Sequence, residues 1–320
     1  MMPYDKTFYN ELLKLMLKNG KIIFLHADQA GNIDHELKTH FPTHYINFGI
    51  GENNMIAAAC ALAKDGLVPL VCTQGAFLAY RSFEFIRVDC CIQNMNIKII
   101  AMGAGVKNNT LGPTHHATED IAAMRVLPNL TILSPASPLE IAPALDAALA
   151  HNGPVYLRLG KAFETEIYTE PPKFKIGVAN LLSEGSDLTI IATGNIIASA
   201  IYASDKLSES GISCDVINMS TIKPLDVDAV LRSAIKTRNV VTIEEHQIIG
   251  GLGGAVAEVL AQRGIGAKLE RIGFNDEFAT TYGWHKDILE NYDLLPKQIY
   301  KRIVSFLRSY ILRREFERTH

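Results

Sequence analysis

Short apolar runs alternate along the chain with longer stretches of helical periodicity. Lys21–His26, Val68–Thr73, Lys98–Met102, Thr131–Ser134 and Val155–Leu159 read as strands. Asn53–Lys64, Phe77–Ile92, Thr118–Arg125 and the alanine-rich Pro138–Ala150 read as the helices between them. Asn53 opens the first of these helices and Gly66 lies just past its end. A further helix begins the chain. Glu164–Lys175, with Pro171-Pro172 and several charges, breaks the alternation and reads as a linker. The pattern then resumes. Asp187–Ala192, Cys214–Asn218, Val240–Glu244 and Lys268–Ile272 read as strands, and Ile196–Glu209, Asp226–Lys236 and Ala255–Arg263 as helices. This predicts an α/β protein of two domains, each a mainly parallel sheet covered by helices. The expected division is 1–163, a linker over 164–186, and 187–320. Ligands of such sheets sit at the carboxyl ends of strands. The loops to search therefore follow His26, Asn47, Thr73, Met102 and Leu159.

Length and composition fit this picture. The 320 residues match roughly two domains of about 150 residues each. A hydrophobic share of 48% is enough for a sizeable core. A net charge of −3 gives no electrostatic reason to expect nucleic acid or a membrane as partner. Polar residues interrupt the N-terminal apolar positions, so no signal peptide is indicated, and no apolar run suggests a membrane span. The five cysteines lack CxxC spacing and point to buried free thiols in a reducing cytosol, so a cytoplasmic location is expected. The basic tail with Arg308, Arg313, Arg314 and Arg318 reads as a solvated helix end.

Candidate chemistry gathers in three segments of the first domain. In Tyr45-Ile-Asn-Phe-Gly-Ile-Gly-Glu52-Asn-Asn-Met55 a carboxylate stands between a glycine-bearing turn and an apolar helix. Glu52 either caps that helix or is a desolvated functional carboxyl. Thr73-Gln74 to Arg87 places Phe77, Tyr80, Arg81 and Arg87 beyond the next strand. Gly112-Pro-Thr-His115-His116 to Arg125 follows the strand after that. His115 could cap the Thr118 helix. A metal pair with His116 is disfavoured, since adjacent histidines point apart and no third ligand is spaced nearby, so no metal site is expected on this chain.

The order GIGENNM, RSFEFIR, GPTHHATEDIAAMR, Pro128-Asn, Ser134-Pro-Ala and Gly153-Pro-Val-Tyr-Leu-Arg-Leu159 resembles the pyrimidine-binding domain of transketolases. Asp187-Leu-Thr-Ile-Ile-Ala-Thr-Gly194, Ile217 to Leu225, Glu244-Glu-His246 and Gly250-Gly-Leu-Gly253 are similar to that family's C-terminal domain. The resemblance covers nearly the whole chain. It implies thiamine diphosphate as cofactor and ketol transfer from a ketose to an aldose as activity. Glu52 would hydrogen-bond N1′ of the aminopyrimidine, promoting the imino tautomer that removes the thiazolium C2 proton. Phe77, helped by Tyr80, would pack on the pyrimidine, with Gln74 and Asp28 also on the cofactor side. His115 would contact substrate oxygens and count with Glu52 as catalytic. Arg81, Lys161, Gly103 and Leu111 complete the expected substrate side. His246 would be structural, and Gly251-Leu-Gly253-Gly254 a helix-start turn rather than a nucleotide loop.

The family's Gly-Asp-Gly motif for the diphosphate and Mg²⁺ (or Ca²⁺) is absent from this sequence. The resemblance therefore implies a split enzyme: a separate N-terminal transketolase subunit holding metal and diphosphate, with this chain homodimerising within an α2β2 complex. Four departures from the family pattern stand out. Gln74 stands for a usual Phe, Gly103 for a His, and Asn109-Thr110-Leu111-Gly112 for Gly-Glu-Asp-Gly. Lys161 stands for a phosphate-gripping Arg and lacks its bidentate fork. A non-standard sugar substrate is expected. Competing readings are a 2-oxoacid dehydrogenase E1 β-like subunit, a deoxyxylulose-phosphate synthase-like half, or a non-catalytic regulatory paralogue.

Overall fold

The computed structural model describes residues 3–28, 34–160 and 166–319. The first half runs α1 (Pro3–Lys18), β1 (Ile22–His26), α2 (Asp34–His40), β2 (Tyr45–Asn47), α3 (Glu52–Lys64), β3 (Val68–Gln74), α4 (Gly75–Tyr80), α5 (Phe83–Phe85), β4 (Lys98–Met102), α6 (Asp120–Arg125), β5 (Thr131–Leu133), α7 (Pro138–Ala150) and β6 (Val155–Leu159). The second half runs β7 (Asn180–Ser183), β8 (Leu188–Ala192), α8 (Ile197–Ser208), β9 (Cys214–Asn218), β10 (Thr221–Lys223), α9 (Val227–Thr237), β11 (Asn239–Gln247), α10 (Leu252–Gln262), β12 (Lys268–Phe274), α11 (His285–Asn291) and α12 (Pro296–Thr319).

Two mainly parallel sheets result, as the alternation predicts. The first has the order β10-β5-β6-β4-β3-β1-β2 and the second β12-β11-β8-β9-β7. Strands β1, β4, β6, β8 and β9 are buried along their whole length, which is why they read as unbroken apolar runs. β7 falls inside the stretch expected as linker and pairs antiparallel with β9. The chain leaves β9, crosses to the first sheet and adds β10 antiparallel to β5. The Ile217–Leu225 motif is thus a covalent tie between the sheets.

One core joins the two halves. Ile99, Ile132 and Tyr156 of the first sheet pack in the same cluster as Ile191, Ile217, Val230 and Leu252 of the second. Each fully buried side chain of this size contributes about 1.5–3 kcal/mol. Polar groups buried at the same junction are densely bonded. Arg158 on β6 donates to Asp120 Oδ2 at 2.9 Å and to the carbonyls of Ala117 and Glu245 at 3.0 Å. Glu245 accepts from Val106 N at 2.8 Å and Asn195 Nδ2 at 2.9 Å, and lies 3.0 Å from His285 Nε2. Burial alone would raise the Glu245 pKa, but His285 and these donors hold it below the usual carboxylate range. Gly105 permits that approach: at φ +64°, a Cβ there would lie 2.2 Å from Glu245 Oε1. The second half therefore pins the loop that follows β4. Glu244 accepts from Leu252 N and Gly253 N at the start of α10, so the glycine-rich segment is a helix start.

One expected element needs correction. Phe77–Ile92 is not a single helix. α4 stops at Tyr80, the chain breaks at Arg81-Ser82, and α5 runs into a π-helical turn over Ile86–Ile92. The wider turn adds a residue per repeat, so Ile86, Cys90 and Cys91 stay buried in the core after the break. All five cysteines are buried and none is in a disulfide. Among the described residues no helix is long and apolar enough to cross a membrane.

Candidate active site

The first sheet changes direction of winding between β1 and β3, since β2 lies outside β1 while β4 lies beyond β3. A crevice at the carboxyl ends of such strands is where an open α/β sheet binds ligands. Asn47, at the end of β2, accepts from Gly49 N at 2.8 Å and from Asp28 N at 3.3 Å, tying two strand ends together. Asp28 itself is exposed, with φ 52°. The turn then reaches Gly51, where a Cβ would meet the Phe48 carbonyl at 2.9 Å. This tight turn sets Glu52 at the first position of α3, with only 5% of the residue exposed. Gly51 is the N-cap, so Glu52 is not the capping residue.

The Glu52 carboxylate turns instead to the segment after β3. Arg81 Nη1 lies 3.2 Å from Glu52 Oε1. The same guanidinium lies over the Phe77 ring, 3.9 Å from its centroid. The His115 ring meets Phe77 edge-on at 5.1 Å and 65°. Thr114 Oγ1 lies 2.9 Å from His115 Nδ1. Four expected site residues from three segments thus form one contiguous cluster. The break after Tyr80 places Arg81 there.

A second group adjoins it. Asn108 Nδ2 donates to Gln74 Oε1 at 2.5 Å and to the His115 carbonyl at 3.3 Å. Gly103 sits beneath this bridge at φ +77°, and a Cβ there would lie 2.3 Å from Asn108 Nδ2 and 2.6 Å from Gln74 Oε1. Gln74 and Gly103, two of the departures read in the sequence, are therefore one packed unit. Asn108 was missed, and its only signal was its place in the polar loop after β4. Leu111 ends a short 3₁₀ turn in the same loop and is exposed, while Gly112 packs against Tyr282. The Tyr80 hydroxyl has a partner of its own: it donates to Glu119 Oε2 at 2.6 Å. Lys161 lies outside the described residues. His246 is fully buried and accepts from Ala122 N at 3.2 Å, a structural position.

A transketolase pyrimidine-binding domain model matches residues 1–163, and a transketolase C-terminal domain model matches residues 177–299. The chain belongs to the transketolase family. A putative transketolase C-terminal section from Methanocaldococcus jannaschii is 37% identical, with 95% of this chain and 96% of that protein covered. A 6-deoxy-6-sulfo-D-fructose transketolase subunit from a Clostridium species is 36% identical over 92% of this chain and 91% of its own. The 1-deoxy-D-xylulose-5-phosphate synthase of Carboxydothermus hydrogenoformans is 35% identical, but this chain spans 49% of its length. Among solved structures, a split-gene transketolase described as an inactive β4 tetramer superposes with TM-score 0.85 at 35% identity, covering 95% of this chain and 97% of that one.

Proposed function

We propose that this chain is the C-terminal subunit of a thiamine-diphosphate-dependent, transketolase-type transferase. It would act with an N-terminal partner that holds the diphosphate and Mg²⁺ (or Ca²⁺), in an α2β2 complex. The observation that carries this reading is the Glu52–Phe77 pair. A buried carboxylate and an aromatic face converge on a planar, cationic N–H donor, the Arg81 guanidinium. An aminopyrimidine ring has the same requirements, so these residues fit the cofactor. Thiamine diphosphate, when bound, supplies the electron sink for ketol transfer. Glu52 would hold a proton at N1′, and its burial excludes competing water. Phe77 would stack on the ring, with Tyr80, Gln74 and Asp28 around the site. His115 would hydrogen-bond sugar oxygens beside Phe77. Arg81 and Lys161 would meet an anionic group of the substrate, and Gly103 and Leu111 would shape the pocket.

The Gln74–Asn108 bridge over Gly103 supports a substrate other than the common pentose phosphates. The relative that acts on 6-deoxy-6-sulfo-D-fructose supports the same expectation. The relative described as an inactive β4 tetramer supports the need for a partner. The test is co-purification of this chain from its host. A stoichiometric Gly-Asp-Gly-bearing partner and cofactor bound only by the pair are expected. Glu52→Gln in that complex should lower turnover by roughly 10²–10⁴-fold without unfolding it. Unchanged turnover would sink the assignment of Glu52 and favour a non-catalytic subunit. Turnover from pyruvate without a ketose donor would favour a deoxyxylulose-phosphate synthase-like or 2-oxoacid dehydrogenase-like reaction.

A further inference from the structure

Among the described residues, Arg81 is placed unlike the other arginines. It follows α4 at the break before Ser82, and its guanidinium folds back over Phe77 at 3.9 Å while reaching Glu52 Oε1 at 3.2 Å. Its side chain is 48% exposed, whereas that of Glu52 is 6% exposed. A guanidinium is flat and delocalised, and it presents N–H donors along its edge. Those are the features by which an aminopyrimidine would sit on Phe77 and face Glu52. We propose that Arg81 is the internal occupant of the aminopyrimidine seat, giving Glu52 a partner and covering Phe77 until the cofactor ring displaces it. This rests on the reading that Glu52 and Phe77 hold that ring.

The two halves of the contact explain both its presence and its release. A buried carboxylate with no partner is costly, so the unliganded chain needs a cation there. Arg81 meets it with one hydrogen bond, not a bidentate fork, and half of its side chain already faces solvent. Arg158 shows the opposite design. It is 2% exposed and bonds a carboxylate and two carbonyls, so it has nowhere to go. A part-exposed ion pair and a part-exposed cation–π contact are each weak, and together they hold the seat by about tenfold. Once displaced, Arg81 is left at the mouth of the site, free to meet an anionic group of the sugar.

The test uses the cofactor-free complex of this chain with its N-terminal partner and 4-amino-2-methylpyrimidine as probe, with affinity read by calorimetry and thermal stability alongside. Arg81→Ala is expected to lower Tm without probe, to bind the probe about tenfold more tightly than the unsubstituted chain, and to recover Tm when it binds. Arg81→Lys keeps the charge and loses the plane. It should tighten binding by less, and it carries the test if Arg81→Ala does not fold. Glu52→Gln should weaken binding in either background. If Arg81→Ala binds no more tightly while Glu52→Gln still weakens binding, the seat stands and Arg81 is not its occupant. If all variants bind equally, or none binds, the seat itself is overturned, and the role proposed for Glu52 and Phe77 goes with it.

Discussion

Among the described residues of the first domain, two carboxylate–arginine contacts are built for different ends. At the domain junction Arg158 and Asp120 are both sealed from solvent, and the Arg158 guanidinium is divided between that carboxylate and two carbonyls. Tyr156 also donates to Asp120, at 3.0 Å. In the candidate site Arg81 and Glu52 share one bond, and the arginine is half exposed. A charge that is buried and fully bonded can only be removed at high cost, whereas a half-exposed charge with one bond can be exchanged. The difference separates what holds the loops in place from what those loops offer to a ligand.

The largest effect is expected at the junction. Arg158→Met would leave Asp120 buried without its cation, and a loss of about 3–5 kcal/mol should follow in urea unfolding. If stability fell by less than 1 kcal/mol, the contrast between the two pairs would collapse.

His246 gives the next effect and a pH signature. Burial, against the opposing pull of Asp120, holds its pKa down to about 4 from 6.5. Between those values the unfolded chain takes up a proton that the folded chain refuses. Stability should therefore fall as pH drops from 6.5 towards 4, by on the order of 3 kcal/mol, and the loss is complete below that window. Glu244, raised by burial to about 7 although Gly253 and Leu252 donate to it, titrates with the opposite sign between 4.5 and 7. The net slope between pH 4.5 and 6.5 is the difference of the two. His246→Gln should remove the histidine contribution and leave stability falling as pH rises there. A slope identical to that of the unsubstituted chain would show that His246 is not held neutral.

The strands were legible because burial on both faces leaves an apolar run that needs no partner to be recognised. Glu52, Phe77 and His115 were legible because each lies just past a strand end in an unusual local pattern. What stayed hidden is long-range. Arg158 and Asp120 are 38 positions apart, and Glu245 meets Val106 across 139. β10 looks like a continuation of the second domain until its partner in the first sheet is known. Arg81 is legible as a cation near the site, but the helix periodicity of Phe77–Ile92 conceals the break that aims it at Glu52. In the sequence Gln74 and Gly103 are separate losses, and only the bridge to Asn108 makes them one change.

That bridge offers a sharper test of the site region. Gly103→Ala must relieve a contact of 2.3 Å with Asn108 and accept φ +77°. The strain should cost about 1–3 kcal/mol, less than the junction loss, because Asn108 and Gln74 are part-exposed and can move. Adding Asn108→Ala to Gly103→Ala should recover part of the loss. If the double variant were simply additive, the three residues would not act as a unit.

The smallest effect is expected at Tyr80, on the border of the two regions. Its hydroxyl donates to Glu119 Oε2 at 2.6 Å and accepts from Glu119 N at 3.1 Å, yet the residue is 43% exposed. Water can replace both contacts in Tyr80→Phe, so the loss should be about 1 kcal/mol. Over a chain of 320 residues that is a shift of a few degrees in Tm or less. The Arg81–Glu52 contact does not involve this hydroxyl, so the response of Tm to 4-amino-2-methylpyrimidine should be unchanged. A large change in that response would mean that Tyr80 reaches the ring after all, and that α4 presents both of its aromatic residues to the same ligand.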